Sequence, residues 1–328
     1  MSTPIIYFNH KEIPMKKIHL ITILALVCMS SFAQETTTGQ SSDAATRATD
    51  IGNEIVYIET ANWGQNYPFN EQIYTKDGKT HAKAGCVPVA YAIMMRHHGY
   101  PAEGTSKILY NCQTGVELTD RVYNWDNMPL TYDGKWSAEQ INEVSKLMSH
   151  TLHASNPSSI GTNATTVNEE QQSSRLNRFF NYELIYASYQ KDHTQQEWEA
   201  KIRESLDNNC PVVYASNNSG TGDSRHMFII DGYTDKEYFH FNFGWAGSGN
   251  GWFKLNNITP YQGDNYSWNS NSQHYAFFNL RPIMDGTTIE ANKEVAAVNT
   301  IFDLAGRKVN EITSPGIYII NGKKVLIK

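Results

Sequence analysis

A loop enters a helix within the stretch Gly85-Cys86-Val87-Pro88-Val89-Ala90-Tyr91-Ala92-Ile93-Met94-Met95-Arg96-His97-His98. Proline is favoured in a first helical turn, and apolar residues then recur at helical spacing. The pattern predicts a helix from Pro88 to His98 with Cys86 at its N-terminus. Free N–H groups and the partial positive charge of a helix N-terminus stabilise a thiolate, the form of cysteine that attacks a carbonyl carbon.

A lone cysteine at a helix start is more often an unreactive buried side chain, so Cys86 needs a partner. His97 and His98 lie roughly 16–18 Å away along the helix axis, at about 1.5 Å per residue, and are expected to be helix-end or core histidines. His226 is the better candidate because it opens the apolar run Met227-Phe228-Ile229-Ile230. It is expected at a strand end with its ring facing a cleft, although a plain strand-start histidine fits the same pattern.

A third group is expected to hold the imidazole ring of the histidine. Asn242 is expected to do so if its strand pairs beside that of His226, and Trp245 is expected to cover their contact. Asp231 is the alternative, but it lies five residues along the same strand, about 16 Å away at about 3.3 Å per residue, and is rejected. Gln65, upstream of the cysteine, offers an amide donor for the oxyanion of a tetrahedral intermediate.

Composition narrows the classes of function. The chain has 328 residues, 40% hydrophobic and 18% charged, which predicts a packed globular core. A net charge of −6 without a long basic run argues against nucleic-acid binding. The four cysteines form no Cys-x-x-Cys pattern, and no phosphate-loop pattern occurs, so neither a metal nor a nucleotide cofactor is expected.

The N-terminal region carries the pattern of a secretory signal. Lys16 and Lys17 precede the apolar run Ile18–Met29, and Ser31-Phe32-Ala33 supplies the small residues of a cleavage site. The apolar run is shorter than the roughly 20 residues that span a bilayer, so cleavage and export are expected instead of a membrane anchor. Loss of Cys28 with the signal leaves three cysteines, of which at least one stays unpaired.

The rest of the chain is predicted to form one α+β domain with a small appendage. Helical patterns concentrate early, at 138–152 and 196–208 besides the first, and strand patterns dominate after Pro211. The predicted segments are an upstream extension and signal peptide (1–33), a disordered linker (34–52), a catalytic domain (53–284), a second linker (285–297) and a β-rich tail (298–328).

The motifs resemble the streptopain-like cysteine peptidases, and the resemblance covers nearly all of residues 53–284. It implies a papain-like fold in which a helical part and an antiparallel β part flank a cleft. The implied site residues are Cys86 as nucleophile, His226 as base, Gln65 in the oxyanion hole, and Asn242 and Trp245 supporting the histidine. The motifs that carry the resemblance are Gly85 to Pro101, Pro211-Val212-Val213-Tyr214, His226 to Gly232 and Tyr238 to Gly247.

Four features depart from the family pattern. Phe243 replaces a usual tryptophan, Arg225 is unusual before the histidine, and the loop at 155–164 replaces a glycine-rich loop beside the cleft. These changes are expected to alter substrate choice more than chemistry. Only about twenty residues separate the signal from the catalytic domain, so a long inhibitory prodomain is missing and a separate inhibitor protein stays open as a partner.

The tail resembles a type IX secretion sorting domain, through the runs Ile301 to Val309 and Gly316 to Lys328. That resemblance implies an outer-membrane secretion machinery as a partner, whereas a small β appendage is the alternative. The predicted function is a secreted cysteine endopeptidase that acts on proteins or peptides. The alternatives are a catalytically impaired surface protein that binds peptides, and a transferase that resolves the same thioester with an amine.

Overall fold

The computed structural model describes residues 51–167, 172–217, 225–260, 267–269 and 272–283, and four short strands between residues 301 and 327. The predicted signal peptide and nearly all of the first linker lie outside the described residues, as does the second linker at 285–297. The domain boundaries stay predictions.

The described helices begin and end close to the positions that the sequence predicts. Ser137 and Thr194 each form a capping box with a residue three positions later, and these boxes start two of the helices. The first helix ends at Gly99 in the left-handed conformation, but its N-cap Gly85 has no side chain to bond the first N–H groups. The helices are α1 (Cys86–His98), α2 (Ala138–Ala154), α3 (Gln172–Phe180), which the sequence analysis missed, and α4 (Gln195–Asp207).

After α4 the regular elements of the described residues are all strands, as the sequence predicts after Pro211. The longest of them starts at His226, and all nine of its residues are buried. The strands before residue 284 are β1 (Glu54–Tyr57), β2 (Ser159–Ile160), β3 (Thr165–Thr166), β4 (Ser188–Tyr189), β5 (Val212–Asn217), β6 (His226–Thr234), β7 (Phe239–Asn242), β8 (Gly251–Phe253), β9 (Asn257–Ile258), β10 (Trp268–Asn269) and β11 (Gln273–Phe277).

Seven of these strands form one antiparallel sheet in the order β4-β11-β5-β6-β7-β8, with β1 also paired to β6. Side chains of a strand alternate between the two faces of a sheet. Met227 and Ile229 therefore join a core with α1 and α2, whereas Phe228 and Ile230 join a second core with α4. Burial on both faces explains the continuous apolar run after His226, and the predicted α+β class is confirmed.

The turn that follows β7 packs directly on α1. Gly244 has a φ of +68°, and a Cβ added there would lie 2.8 Å from Cγ1 of Val89. Only glycine combines this conformation with so close an approach. The contact brings the end of β7 against the first turn of α1, next to Cys86.

Four strands of the tail form an antiparallel sheet. Strands occur in both runs where the alternating pattern predicts them, and the sorting function stays a prediction. Among the described residues, no helix has the length and apolar character needed to cross a membrane, and no three His, Cys, Asp or Glu side chains gather as metal ligands. The tail strands are β12 (Ile301–Asp303), β13 (Lys308–Val309), β14 (Gly316–Ile320) and β15 (Lys323–Ile327).

Several histidines are buried as neutral side chains. Burial lowers the pKa of His150 to about 3 and the pKa values of His98, His153 and His226 to about 4, from an ordinary value of 6.5. In the unfolded chain each of these rings takes a proton as the pH falls through 6.5, whereas the native rings stay neutral until about pH 4. The unfolded state therefore binds more protons than the native state in this window.

We predict that the protein loses stability steeply between pH 6.5 and 4. Each buried histidine lowers the free energy of unfolding by about 1.4 kcal/mol per pH unit there. Urea denaturation at pH 7.5 and pH 5.5 should give a much lower midpoint at the acid pH, and little change between pH 7.5 and 8.5. Equal midpoints at pH 7.5 and 5.5 would contradict the neutral burial of these rings.

Candidate active site

A cleft of about 680 Å³ opens where the N-terminus of α1 meets the start of β6. Cys86 and His226 both line this cleft, although they are far apart in the sequence. The predicted residues Gln65, Arg225 and Trp245 line it as well. The other lining residues are Gly64, Asn66, Tyr67, Phe69, Lys83, Asn163, Ala164, Thr165 and Ala246.

Cys86 is the first residue of α1 and is half-buried. No side chain caps this helix N-terminus, and its first turn contains no acidic residue. The first backbone N–H groups of a helix have no partner within the helix, and they carry partial positive charge. The position therefore favours a thiolate and provides donors for a nearby negative charge, as the sequence predicts.

The imidazole ring of His226 is buried and is held by a backbone carbonyl. Its Nε2 lies 2.7 Å from the carbonyl oxygen of Phe243. A carbonyl oxygen only accepts hydrogen bonds, so Nε2 carries the hydrogen and Nδ1 is the nitrogen that can accept a proton. Burial lowers the pKa of this ring to about 4, which keeps it neutral near pH 7.

Two tryptophans stack on the histidine ring. The ring of Trp245 lies 4.7 Å from it between centroids, at an angle of 28°, and that of Trp268 lies 5.9 Å away at 13°. The covering role of Trp245 was predicted, whereas Trp268 gave no signal in the sequence. Both rings limit the access of water to the imidazole.

The side chain of Asn242, which the sequence predicts to hold the histidine ring, bonds other partners in the structure. Its strand does pair beside β6, but the register places Asn242 opposite Ile229, three residues from His226 and so about 10 Å along the strand. The amide nitrogen of Asn242 donates to Thr60 Oγ1 at 2.9 Å and to the Ala61 carbonyl at 3.0 Å. The next residue supplies the carbonyl that contacts the histidine.

Asn242 instead anchors the turn that carries this carbonyl. Its side-chain oxygen accepts a hydrogen bond from the Gly244 N–H at 3.2 Å. Thr60 Oγ1, which receives the Asn242 amide, donates in turn to the buried carboxylate of Asp231. The other Asp231 oxygen lies 2.6 Å from Nδ1 of His240. Asp231 is therefore bonded to Thr60 and His240, and it belongs to a network that the sequence did not reveal.

Gln65 lines the cleft that contains Cys86 and His226. Its backbone carbonyl accepts a hydrogen bond from the Ala84 N–H at 3.0 Å, which ties its segment to the chain just before Cys86. Two residues earlier, the Trp63 carbonyl accepts a hydrogen bond from the Ala246 N–H at 3.0 Å, so the segment is also tied to the turn that holds His226. The two sides of the cleft are therefore linked through this segment.

Residues 63–253 match the Peptidase C10 family, which is more than half of the chain. This chain belongs to the Peptidase C10 family. Streptopain of Streptococcus pyogenes is 30% identical over 192 residues, covering 55% of this chain and 47% of that protein. The thiol protease/hemagglutinin PrtT of Porphyromonas gingivalis is 30% identical over 207 residues, covering 60% of this chain and 23% of that protein. The chain therefore spans about half or less of the length of these curated relatives.

The solved structure of the active wild-type interpain A cysteine protease of Prevotella intermedia is similar in fold, with a TM-score of 0.59 and 25% identity. The match covers 68% of this chain and 94% of that one. The papain-like α+β fold predicted from the sequence, with a helical part and an antiparallel sheet beside a cleft, is thereby confirmed.

The loop that departs from the family pattern forms one wall of the cleft. Asn163 and Ala164 line the cleft, and the neighbouring Thr165 Oγ1 donates to the Lys83 carbonyl at 2.6 Å. The Lys83 N–H donates to the Gly161 carbonyl at 3.0 Å. The loop thus fixes the backbone three residues before Cys86, and it brings Lys83, which the sequence analysis missed, to the cleft.

None of the three cysteines in the described residues forms a disulfide, so Cys112 and Cys210 are not bonded to each other. Cys112 Sγ lies 3.2 Å from Nδ1 of His153, whose pKa burial lowers to about 4. Burial raises the pKa values of both the Cys112 and Cys210 thiols. Among the three, only Cys86 stands at a helix N-terminus.

We predict that iodoacetamide at pH 7 alkylates Cys86 at least about tenfold faster than Cys112, because a helix N-terminus and an imidazole favour the thiolate. Mass spectrometry of peptides over a time course measures the two rates. His226→Ala should slow the alkylation of Cys86 and leave that of Cys112 unchanged. Equal rates at the two cysteines in the wild type would exclude an activated Cys86.

Proposed function

We propose that this protein is an exported cysteine endopeptidase that hydrolyses peptide bonds of proteins through an acyl-enzyme. The observation that carries the proposal is the arrangement in one cleft of Cys86 at a helix N-terminus and His226 with Nδ1 as its basic nitrogen. Membership of the Peptidase C10 family and similarity to a cysteine protease of known structure support it.

The first half of the reaction forms a thioester. Nδ1 of His226 takes the proton of the Cys86 thiol, and the thiolate attacks the peptide carbonyl carbon. Backbone N–H groups in the first turn of α1 and the side-chain amide of Gln65 donate to the oxyanion. The protonated histidine then gives its Nδ1 proton to the leaving amine as the C–N bond breaks.

The second half releases the acyl group. The neutral His226 accepts a proton from a water molecule, whose oxygen attacks the thioester carbonyl, and the Cys86–acyl bond breaks. The thiolate then recovers a proton from the histidine. Throughout, the Phe243 carbonyl keeps Nε2 protonated, so one nitrogen performs every transfer.

Export rests on the signal pattern at residues 16–33, and passage through an outer-membrane secretion machinery rests on the resemblance of the tail. A separate inhibitor protein stays a proposed partner. Protein substrates follow from the proposed chemistry.

The alternative function, peptide binding without turnover, is motivated by Phe243, Arg225 and the altered loop at 155–164. The contact of Phe243 with His226 is made by its backbone carbonyl, which any residue at that position supplies. Its ring also stacks on Trp245, with centroids 5.2 Å apart at 21°. The replacement of tryptophan by phenylalanine thus preserves both contacts, and the endopeptidase is favoured.

We predict that Cys86→Ala abolishes cleavage of a fluorogenic protein substrate. Gln65→Ala should lower kcat about 100-fold, because an oxyanion donor acts mainly in the transition state. Gln72→Ala is the matched control, since Gln72 is an amide outside the cleft that bonds Asn142. Cleavage by Cys86→Ala at the wild-type rate would refute the proposed function. Mass spectrometry of the products distinguishes hydrolysis from transfer to an amine.

A second prediction tests how the histidine is positioned. Thr60→Val removes the hydroxyl that receives the Asn242 amide, without changing any residue of the cleft. We expect kcat to fall several-fold with KM unchanged, because the turn that carries the Phe243 carbonyl loses an anchor.

Thr75→Val is the control for this prediction, since it removes a hydroxyl that bonds an exposed aspartate. Thermal denaturation of both variants verifies folding. If Asn242 acted directly on His226, the folded Thr60→Val variant would keep the wild-type kcat.

A further inference from the structure

Two cationic side chains line the cleft beside the catalytic pair. Lys83 precedes Cys86 by three residues on the α1 side, and Arg225 immediately precedes His226 at the start of β6. Among the described residues, the cleft lining contains no aspartate or glutamate. The whole chain carries a net charge of −6, so the charge of this cleft is opposite to that of the molecule.

Neither cation is neutralised by a neighbour within the part of the chain that the structure describes. By contrast, Lys146 contacts Glu143 at 2.9 Å and Arg281 contacts Glu183 at 3.1 Å. The described residues place no carboxylate within 4.0 Å of the side-chain nitrogens of Lys83 or Arg225. Positive charge in a concave site attracts anionic groups more strongly than the same charge on an open surface.

The backbone that carries each cation is fixed. Hydrogen bonds to Gly161 and from Thr165 hold the peptide groups of Lys83 on both sides. Arg225 leads directly into β6, where His226 pairs with Ser216 of β5. Arg225 is exposed and Lys83 is half-buried, so both side chains are open to a bound peptide.

We propose that the cleft selects peptides that carry aspartate or glutamate close to the scissile bond, with Lys83 and Arg225 as the residues that determine this specificity. The positive end of α1 adds to the same field. This inference rests on the proposed endopeptidase function and names the substrate class of that site.

The expected size of the preference depends on how exposed the ion pairs between these two cations and an acidic substrate residue are. A partly exposed ion pair, worth about 0.2–1 kcal/mol, changes a binding constant by about 1.5-fold to fivefold. Screening reduces this effect, because the Debye length falls from about 10 Å at 0.1 M salt to about 3 Å at 1 M. A preference for acidic peptides should therefore be modest and sensitive to salt.

The test compares kcat/KM for matched fluorogenic peptides that differ only in Glu, Gln or Lys on either side of the cleaved bond. At low salt we expect the wild type to favour the Glu peptide over the Gln peptide by about 1.5-fold to fivefold, and the Lys peptide to be poorest. The ratio of Glu to Gln should approach one at 1 M salt. In Arg225→Gln and in Lys83→Gln, the ratio of Glu to Gln should also approach one on the side of the cleaved bond that binds next to the replaced cation.

Lys107→Gln is the matched control, because it removes the same charge from an exposed residue outside the cleft lining. It should keep the wild-type ratio. Arg225→Glu should reverse the preference toward the Lys peptide, and alkylation of Cys86 in each variant verifies that the site is folded.

The possible failures are distinct. A wild type that cleaves the Gln peptide as fast as the Glu peptide at low salt overturns this inference and leaves the endopeptidase intact. The inference is also overturned if Lys107→Gln loses the preference for Glu as fully as Arg225→Gln and Lys83→Gln do. The preference would then depend only on the net charge of the protein. A wild type that cleaves none of the peptides contradicts the proposed function, and this inference fails with it.

Discussion

The hydrogen bond between Nε2 of His226 and the carbonyl of Phe243 is the contact on which the site depends. It fixes the tautomer of the ring, so that Nδ1 is the nitrogen available for proton transfer. A backbone carbonyl can do this only if the turn that carries it is rigid. Asn242 anchors that turn at its start, Gly244 seats it on α1, and the Ala246 N–H ties it to Trp63.

Rigidity at this turn comes from a buried polar network. Asp231 is a buried carboxylate, and such a group is costly unless hydrogen bonds satisfy it. Thr60 and His240 supply those bonds, and Thr60 passes the connection to Asn242. A satisfied buried network specifies one arrangement, because breaking any link leaves a polar group without a partner. Through this network the sheet holds the turn with the Phe243 carbonyl in one position, and so fixes the orientation of the His226 ring.

Much of this arrangement could be predicted from the sequence. Local signals were sufficient for α1 and for the placement of Cys86, since a loop, a proline and helical periodicity lie within fourteen residues. The apolar run after His226 likewise identified β6. The role of Asn242 could not be predicted, because it depends on the register between β6 and β7, and a shift of one residue moves every side chain to the other face. Lys83, Thr60 and Trp268 reach the site through tertiary contacts that leave no local pattern.

Nitrogen-15 NMR of the imidazole of His226 in the Cys86→Ala variant tests the central claim most directly, because the ring is then observed without the thiol. The account predicts one tautomer near pH 7, with the hydrogen on Nε2 and none on Nδ1, and protonation of Nδ1 only as the pH falls toward 4. A ring that carries its hydrogen on Nδ1, or that exchanges freely between both tautomers, would contradict the account.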